Sequence, residues 1–217
     1  MAKSTFTFND TDKQRIKDAV ANAEQRTSGE IVVFFVEQCD EYETVPVRGA
    51  LVFIITTLIV IGLLSVTWLL PFHASAVQIA AIAITIGAMG YLSAKYIPAL
   101  KRSLISYSQM QYRVKQRAFN AFLQEEVFNT VDRTGILIFV SHFEHMVEIV
   151  GDSGINAKVQ QAEWEAVVEK IVLGIKQGDT VQGLIDGISL CGELLERGGV
   201  AKPPQNPNEL PDDLRIE

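Results

Sequence analysis

Across residues 49–94, 46 consecutive positions, the chain carries no Asp, Glu, Lys or Arg. A helix on the surface of a soluble domain needs a polar face, and neither half of this run has one, so it reads as lipid-facing sequence. Pro71, Phe72 and His73 divide it into 49–70, 22 residues, and 74–94, 21 residues. At about 1.5 Å per residue each half is long enough to cross a hydrocarbon core of roughly 30 Å. The expectation is a two-helix transmembrane hairpin within 47–103, joined by a very short turn. That turn holds no Lys or Arg. Arg48 precedes the first span, Lys95, Lys101 and Arg102 follow the second, and Arg113, Lys115 and Arg117 lie beyond. Basic residues collect on the cytoplasmic side, so both ends of the chain are expected in the cytoplasm, with the hairpin in a bacterial inner membrane.

The chain opens MAKSTFTFNDTDKQRIKD, which lacks the basic start and immediate apolar stretch of a cleavable signal, so the first residues are expected to remain. Two cysteines far apart, Cys39 and Cys191, give neither a disulfide framework nor metal-ligand spacing and suit a reducing compartment. A formal charge of −7 argues against nucleic acid as a partner.

Polar sequence flanks the hairpin, and its pattern indicates one interrupted domain rather than two. Asn9 or Asp10 can cap a helix with Ile16, Ala19, Val20 and Ala23 on its apolar face. Residues 30–36, EIVVFFV, read as a strand covered on both faces. One helix cannot cover both, so further layers must come from beyond the hairpin. Residues 106–128 read as a helix, 135–140 as a second fully apolar strand, and 145–150 as a third, joined to the second too closely for anything but an antiparallel pair. Two amphipathic helices follow, over 159–176 and 179–196. Cys191 falls on the apolar stripe of the second as a small core residue, and Gly183 and Gly187 permit close helix packing. In the hairpin, Gly62, Gly87 and Gly90 can admit close packing between spans or against another copy, which leaves a homo-oligomer open. Residues 199–217 are rich in Pro and polar residues and are expected to form a flexible acidic tail. The domain expectation is 1–46 with 104–198 as one discontinuous α/β unit.

Topology brings polar residues to one rim. The first two strands, joined by a long crossover containing a helix, are expected to be parallel, and the third ends where they begin. That end collects Glu30, Asp132 and Asp152. Oxygen-rich clusters of this kind suit hard divalent ions such as Ca²⁺ or Mg²⁺, with Ser153 and carbonyls of the GDSG turn as further ligands and Gly151 and Gly154 supplying unusual backbone conformations. Asp132 and Asp152 also suit simple turn roles. At the opposite end, His142, Glu144 and His145 sit in a tight strand connection, where such residues are usually solvated rather than transition-metal ligands. No nucleophile elbow, phosphate-binding loop, dinucleotide fingerprint or CxxC is present, and Ser141 beside His142 on a strand end is poorly placed for a dyad. Chemistry would therefore depend on a metal-bound water.

The segments AEQRTSGEIVV, DRTGILIFVSHFEHMVEIVGDSGIN, the helix bearing Trp164, GDTVQGLIDGISLCGELL and NELPD together resemble the TPM-domain family of thylakoid lumen acid-phosphatase-like and photosystem II repair-like domains. The resemblance implies a Rossmann-like α/β/α sandwich with a small mixed sheet, often tethered to a membrane, with acid phosphatase activity in some members and calcium binding in the plant branch. The residues around Asp132 and the GDSGI turn match the family's recurring acidic turns. Many members carry a C-terminal anchor, whereas here the hairpin interrupts the domain.

Two functions fit. One is a noncatalytic membrane adaptor that supports assembly or quality control of a membrane-protein client, with or without a bound divalent cation. The other is a metal-assisted acid phosphatase using Glu30, Asp132 and Asp152. Transport is disfavoured, because two spans without an ionisable residue offer no pathway.

Overall fold

The computed structural model describes residues 6–66, 75–200 and 208–217; the expected hairpin turn at Pro71, Phe72 and His73 falls outside them. By compactness the chain forms two units, one of residues 1–39 with 111–217 and the other of residues 40–110.

The first unit is built on a four-stranded mixed sheet. β1 (Glu30–Val36) and β2 (Gly135–Ser141) run parallel from Glu30 opposite Gly135 to Val36 opposite Ser141. β3 (Met146–Gly151) is antiparallel to β2, and His145 just before it takes a left-handed turn conformation at φ 52°. The final strand, β4 (Arg215–Ile216), pairs in parallel with the free edge of β1, giving the order β3-β2-β1-β4. The described part of the expected flexible tail, residues 208–217, therefore ends in a docked edge strand. Glu217 N–H donates to Phe35, and the Glu217 carbonyl accepts from Glu37 N–H, so the backbone pairing extends past the strand itself.

Alternation along the two fully apolar strands sorts their side chains into two cores. Ile31, Val33, Phe35, Ile136, Ile138 and Val140 face one layer, where they meet Ile16 and Val20 of α1 (Asp10–Glu24). The same layer holds Ile171 of α7 (Glu165–Gln177) and Leu184, Ile188 and Cys191 of α8 (Thr180–Arg197). Val32, Phe34, Val36, Leu137 and Phe139 face the other layer, covered by Val114, Ala118, Ala121 and Phe122 of α5 (Tyr107–Gln124). The result is an α/β/α sandwich whose central strands are wholly buried, as their continuous apolar sequence requires. Each large aliphatic or aromatic side chain enclosed there contributes roughly 1.5–3 kcal/mol.

Local signals set the helix limits. Asn9 caps α1, accepting from Asp12 N–H at 2.7 Å while the Asp12 carboxylate accepts from Asn9 N–H at 3.2 Å. Gly178, left-handed at φ 81°, ends α7. Gly174 and Gly183 let α7 and α8 approach so closely that a Cβ on Gly183 would come within 2.8 Å of Gly174 Cα, and one on Gly187 would meet Ile171 at 2.3 Å. The expected helix over 106–128 stops at Gln124, with Glu126 at φ 50° turning the chain away. The segment 159–176 divides into a 3₁₀ turn, Gln161–Trp164, and α7.

The second unit contains α2 (Val45–Val66), α3 (Ala76–Tyr96) and the short α4 (Pro98–Ser103). The spans Val45–Ser65 and Ala76–Tyr96 are long and apolar enough to cross a membrane, with mean hydropathies of 2.4 and 1.7, and only 6% and 11% of each is buried within the protein. Gly49, Gly87 and Gly90 bring the two helices together: a Cβ on Gly90 would lie 2.8 Å from the Gly49 carbonyl, and one on Gly87 2.7 Å from Ile54. Gly62 has nothing within 4 Å of its Cβ position, so it plays no such part within the chain.

Candidate functional site

The rim expected to hold the acids exists, and the backbone accounts for it. Glu30 N–H donates to the Thr134 carbonyl and Asp152 N–H to the Gly135 carbonyl, tying the starts of β1 and β2 to the end of β3. Glu30, Asp132 and Asp152 thus share one end of the sheet. Their side chains do different things.

Glu30, 2% exposed, points its carboxylate at the carboxy-terminal segment, accepting from the backbone N–H groups of Glu209 and Leu210 at 3.2 Å each. Burial raises its pKa above 4.5, with the two amides pulling the other way. The contact is reciprocal in position, since the Glu209 carboxylate accepts from Val131 N–H at 2.7 Å.

Asp152, 6% exposed, caps α6 (Ser153–Asn156) by accepting from Ser153 N–H at 2.6 Å. It is also clamped by Arg133, with Nη2 hydrogen-bonded to Oδ1 at 3.0 Å and Nε 2.7 Å from Oδ2. The second contact is an ion pair outside hydrogen-bond alignment, which leaves Oδ2 without a directed donor. Arg133 itself sits at φ 57° and lies over the Phe128 ring at 5.7 Å. A side chain in the left-handed region is held there by its surroundings. Asp132 is exposed.

The glycines of the GDSG turn act by size rather than by unusual dihedrals, because among the described residues the positive-φ glycines are Gly178 and Gly199. A Cβ on Gly154 would fall 2.4 Å from the Asp132 carbonyl and 2.7 Å from that of Arg133, so the turn after β3 packs on the backbone before β2. Gly154 N–H donates to Arg133 O, closing that contact.

Among the described residues no group of three or more His, Cys, Asp or Glu is arranged to hold a metal ion. Glu30 and Asp152 spend their charge on donors supplied by the chain itself. Arg133 is the residue that sequence reasoning missed at this rim. Its signal was its place beside Asp132, in the same turn as the expected ligand.

At the opposite rim a second buried carboxylate went unrecognised. Glu144, 3% exposed, accepts from Cys39 N–H at 3.1 Å and from the Ser141 hydroxyl, while the Cys39 thiol donates to Ser141 Oγ at 3.3 Å. Ser141 therefore faces Glu144 rather than His142, whose Nδ1 lies 3.7 Å from Glu37. Glu144 ties the end of β1 to the β2–β3 connection. Cys191 is fully buried in the core, and desolvation pushes its thiol up to about 12, which makes it inert.

Among the described residues, shallow hollows of about 370 Å³ beside α1 and α8, near Arg15, Asn22 and Gln182, and of about 420 Å³ beside α7, near Glu165, Glu169 and Arg197, lie away from the residues of both rims.

The family model of the TPM domain matches residues 95–194, which hold β2, β3, α5, α7 and most of α8. The match begins in the last turn of α3, yet β1, which precedes both apolar helices, pairs with β2 in the same sheet. Among solved structures, the BA42 protein from the psychrophilic bacterium Bizionia argentinensis, determined by NMR, is similar at a TM-score of 0.59 and 22% identity, with 100% of each chain covered. That likeness concerns the fold. Comparison with curated proteins gives no match.

Proposed function

We propose that this chain is a membrane-anchored TPM-domain protein acting as a noncatalytic adaptor in the assembly or quality control of a membrane complex. The observation that carries the proposal is the internal neutralisation of the acidic rim. Glu30 is occupied by two backbone amides and Asp152 by Arg133, so neither is left to activate water or a nucleophile. The exposed apolar surfaces of α2 and α3 support anchoring in a bilayer. In this reading the hairpin sits in a bacterial inner membrane with both chain ends cytoplasmic, and the α/β unit recruits a membrane-protein client.

The second reading, a metal-assisted acid phosphatase using Glu30, Asp132 and Asp152 with Ca²⁺ or Mg²⁺, draws on their common rim and on the exposure of Asp132. It requires a cation to displace Arg133 from Asp152. One experiment separates the two. The full chain in detergent micelles is assayed on a generic phosphate monoester with and without Mg²⁺ and Ca²⁺, alongside calorimetric titration of each ion. The adaptor reading expects background turnover with either ion, with or without binding heat; turnover that requires the metal and disappears in Asp152→Ala would overturn it.

A further inference from the structure

Charge is segregated along this chain. No Asp or Glu occurs from residue 45 to residue 124, a stretch with seven Lys and Arg, so it carries +7 and the remainder −14 of the total −7. α5 forms the end of this cationic stretch and is apolar on two sides. Val114, Ala118, Ala121 and Phe122 pack on the sheet. Tyr112, Phe119 and Leu123 are 59%, 56% and 47% exposed. At about 100° per residue these three fall within about 40° of one another and roughly 135° from the centre of the buried stripe. Gln116 lies on the same outer face and donates to the Tyr112 hydroxyl at 2.9 Å, and Lys115 flanks it.

We propose that this outer stripe of α5 lies on the surface of a bilayer containing anionic phospholipid. Phe119, Leu123 and the Tyr112 ring would enter the acyl boundary, and Lys115, whose charge also acts on Glu148 of β3, would reach the headgroup phosphates. Two observations select a lipid surface. Fifteen residues of chain separate Tyr96, the last of α3, from Tyr112, so the stripe follows closely on a helix able to cross a membrane. An amphipathic face with aromatic and aliphatic residues, basic flanks and no acidic residue has the charge complementary to anionic lipid. A second copy of the same face would bring like charges together. The inference rests on the proposed anchoring and adds a second contact with the membrane.

The test uses the full chain reconstituted in phosphatidylcholine vesicles with and without phosphatidylglycerol. An environment-sensitive fluorophore is placed by Phe119→Cys in a Cys39→Ser background, Cys191 being buried and unreactive. Leu173→Cys on α7, 50% exposed and outside the cationic stretch, is the control, and Ile84→Cys on α3 reports the hairpin. Quenching of residue 119 by headgroup-depth spin-labelled lipid is expected in anionic vesicles and absent at residue 173. Lys115→Gln should reduce the docked-to-free ratio about fivefold. Equal signals at 119 and 173 would overturn the proposal, as would a blue shift that rises with protein density in neutral vesicles, which assigns the stripe to a second copy. Residue 84 keeps the two readings apart. If deep acyl-chain quenchers reach 84 but nothing reaches 119, only the docking of α5 fails; if they miss 84, the anchoring fails and takes this inference with it.

Discussion

Glu30→Ala should release the carboxy-terminal segment from the sheet. The carboxylate holds Glu209 and Leu210 by two amide bonds of 3.2 Å. Hydrogen bonds to a charged acceptor contribute about 1.5–3 kcal/mol each, and these two, long and next to a half-exposed segment, belong at the low end, about 3 kcal/mol together. Removing the carboxylate also removes its desolvation cost, about 1 kcal/mol in the opposite direction. The net loss is about 2 kcal/mol, which is roughly thirtyfold in the local opening equilibrium. Hydrogen exchange of the full chain in micelles reads this directly at the amides of Leu210 and Glu217, the latter bonded to Phe35. Exchange there should accelerate about thirtyfold in Glu30→Ala and far less in Glu30→Gln, which keeps an acceptor while dropping the charge. Unchanged exchange at both amides in Glu30→Ala would refute the reasoning and assign the docking of β4 to its backbone pairing with β1 and to the Arg215–Glu125, Arg117–Glu217 and Lys17–Asp213 pairs.

Three further outcomes are expected. Arg133→Ala strands the buried Asp152 carboxylate; because Arg133 is half-exposed, the loss is discounted to about 1–2 kcal/mol, read as a lower urea midpoint, and adding Asp152→Asn should restore part of it. Gly135→Ala places a Cβ 1.8 Å from the Val127 carbonyl oxygen, a backbone clash that costs about 3 kcal/mol and should appear as loss of folded protein on expression. Burial raises the pKa of Glu148 above 4.5, with Lys115 partly offsetting it, so the folded protein binds more protons than the unfolded chain above about pH 4.5. Its contribution is complete below 4.5 and is lost as pH rises through the raised value; Glu148→Gln should flatten that limb of a stability-against-pH profile measured by urea unfolding.

The central strands were legible because seven consecutive buried residues in β1 and in β2 leave no polar face to misread. Their parallel pairing followed from the crossover, and with it the shared rim of Glu30, Asp132 and Asp152. What the rim acids contact was not legible. Glu30 is satisfied by main-chain amides some 180 residues away, and an amide has no signature in composition. β4 was hidden for the same reason. Two residues in an acidic, Pro-rich segment carry no period, and their pairing uses the backbone of β1 rather than side-chain burial. Glu144 was read as a solvated turn residue, although its spacing of three from Ser141 places the two side chains together across a tight connection.

The central pair of the sheet carries a consequence for biosynthesis. Glu30 and Gly135 are partners 105 positions apart, and everything between α2 and α5 is translated in that interval. When the ribosome has made EIVVFFV, no native neighbour yet exists for either edge, and the last of them, β4, emerges only after α7 and α8. A nascent segment so rich in β-branched and aromatic residues is a strong aggregation hazard while it waits. The sandwich therefore closes only once β4 has been made, and that one heptapeptide needs shielding in the meantime, a task suited to chaperones.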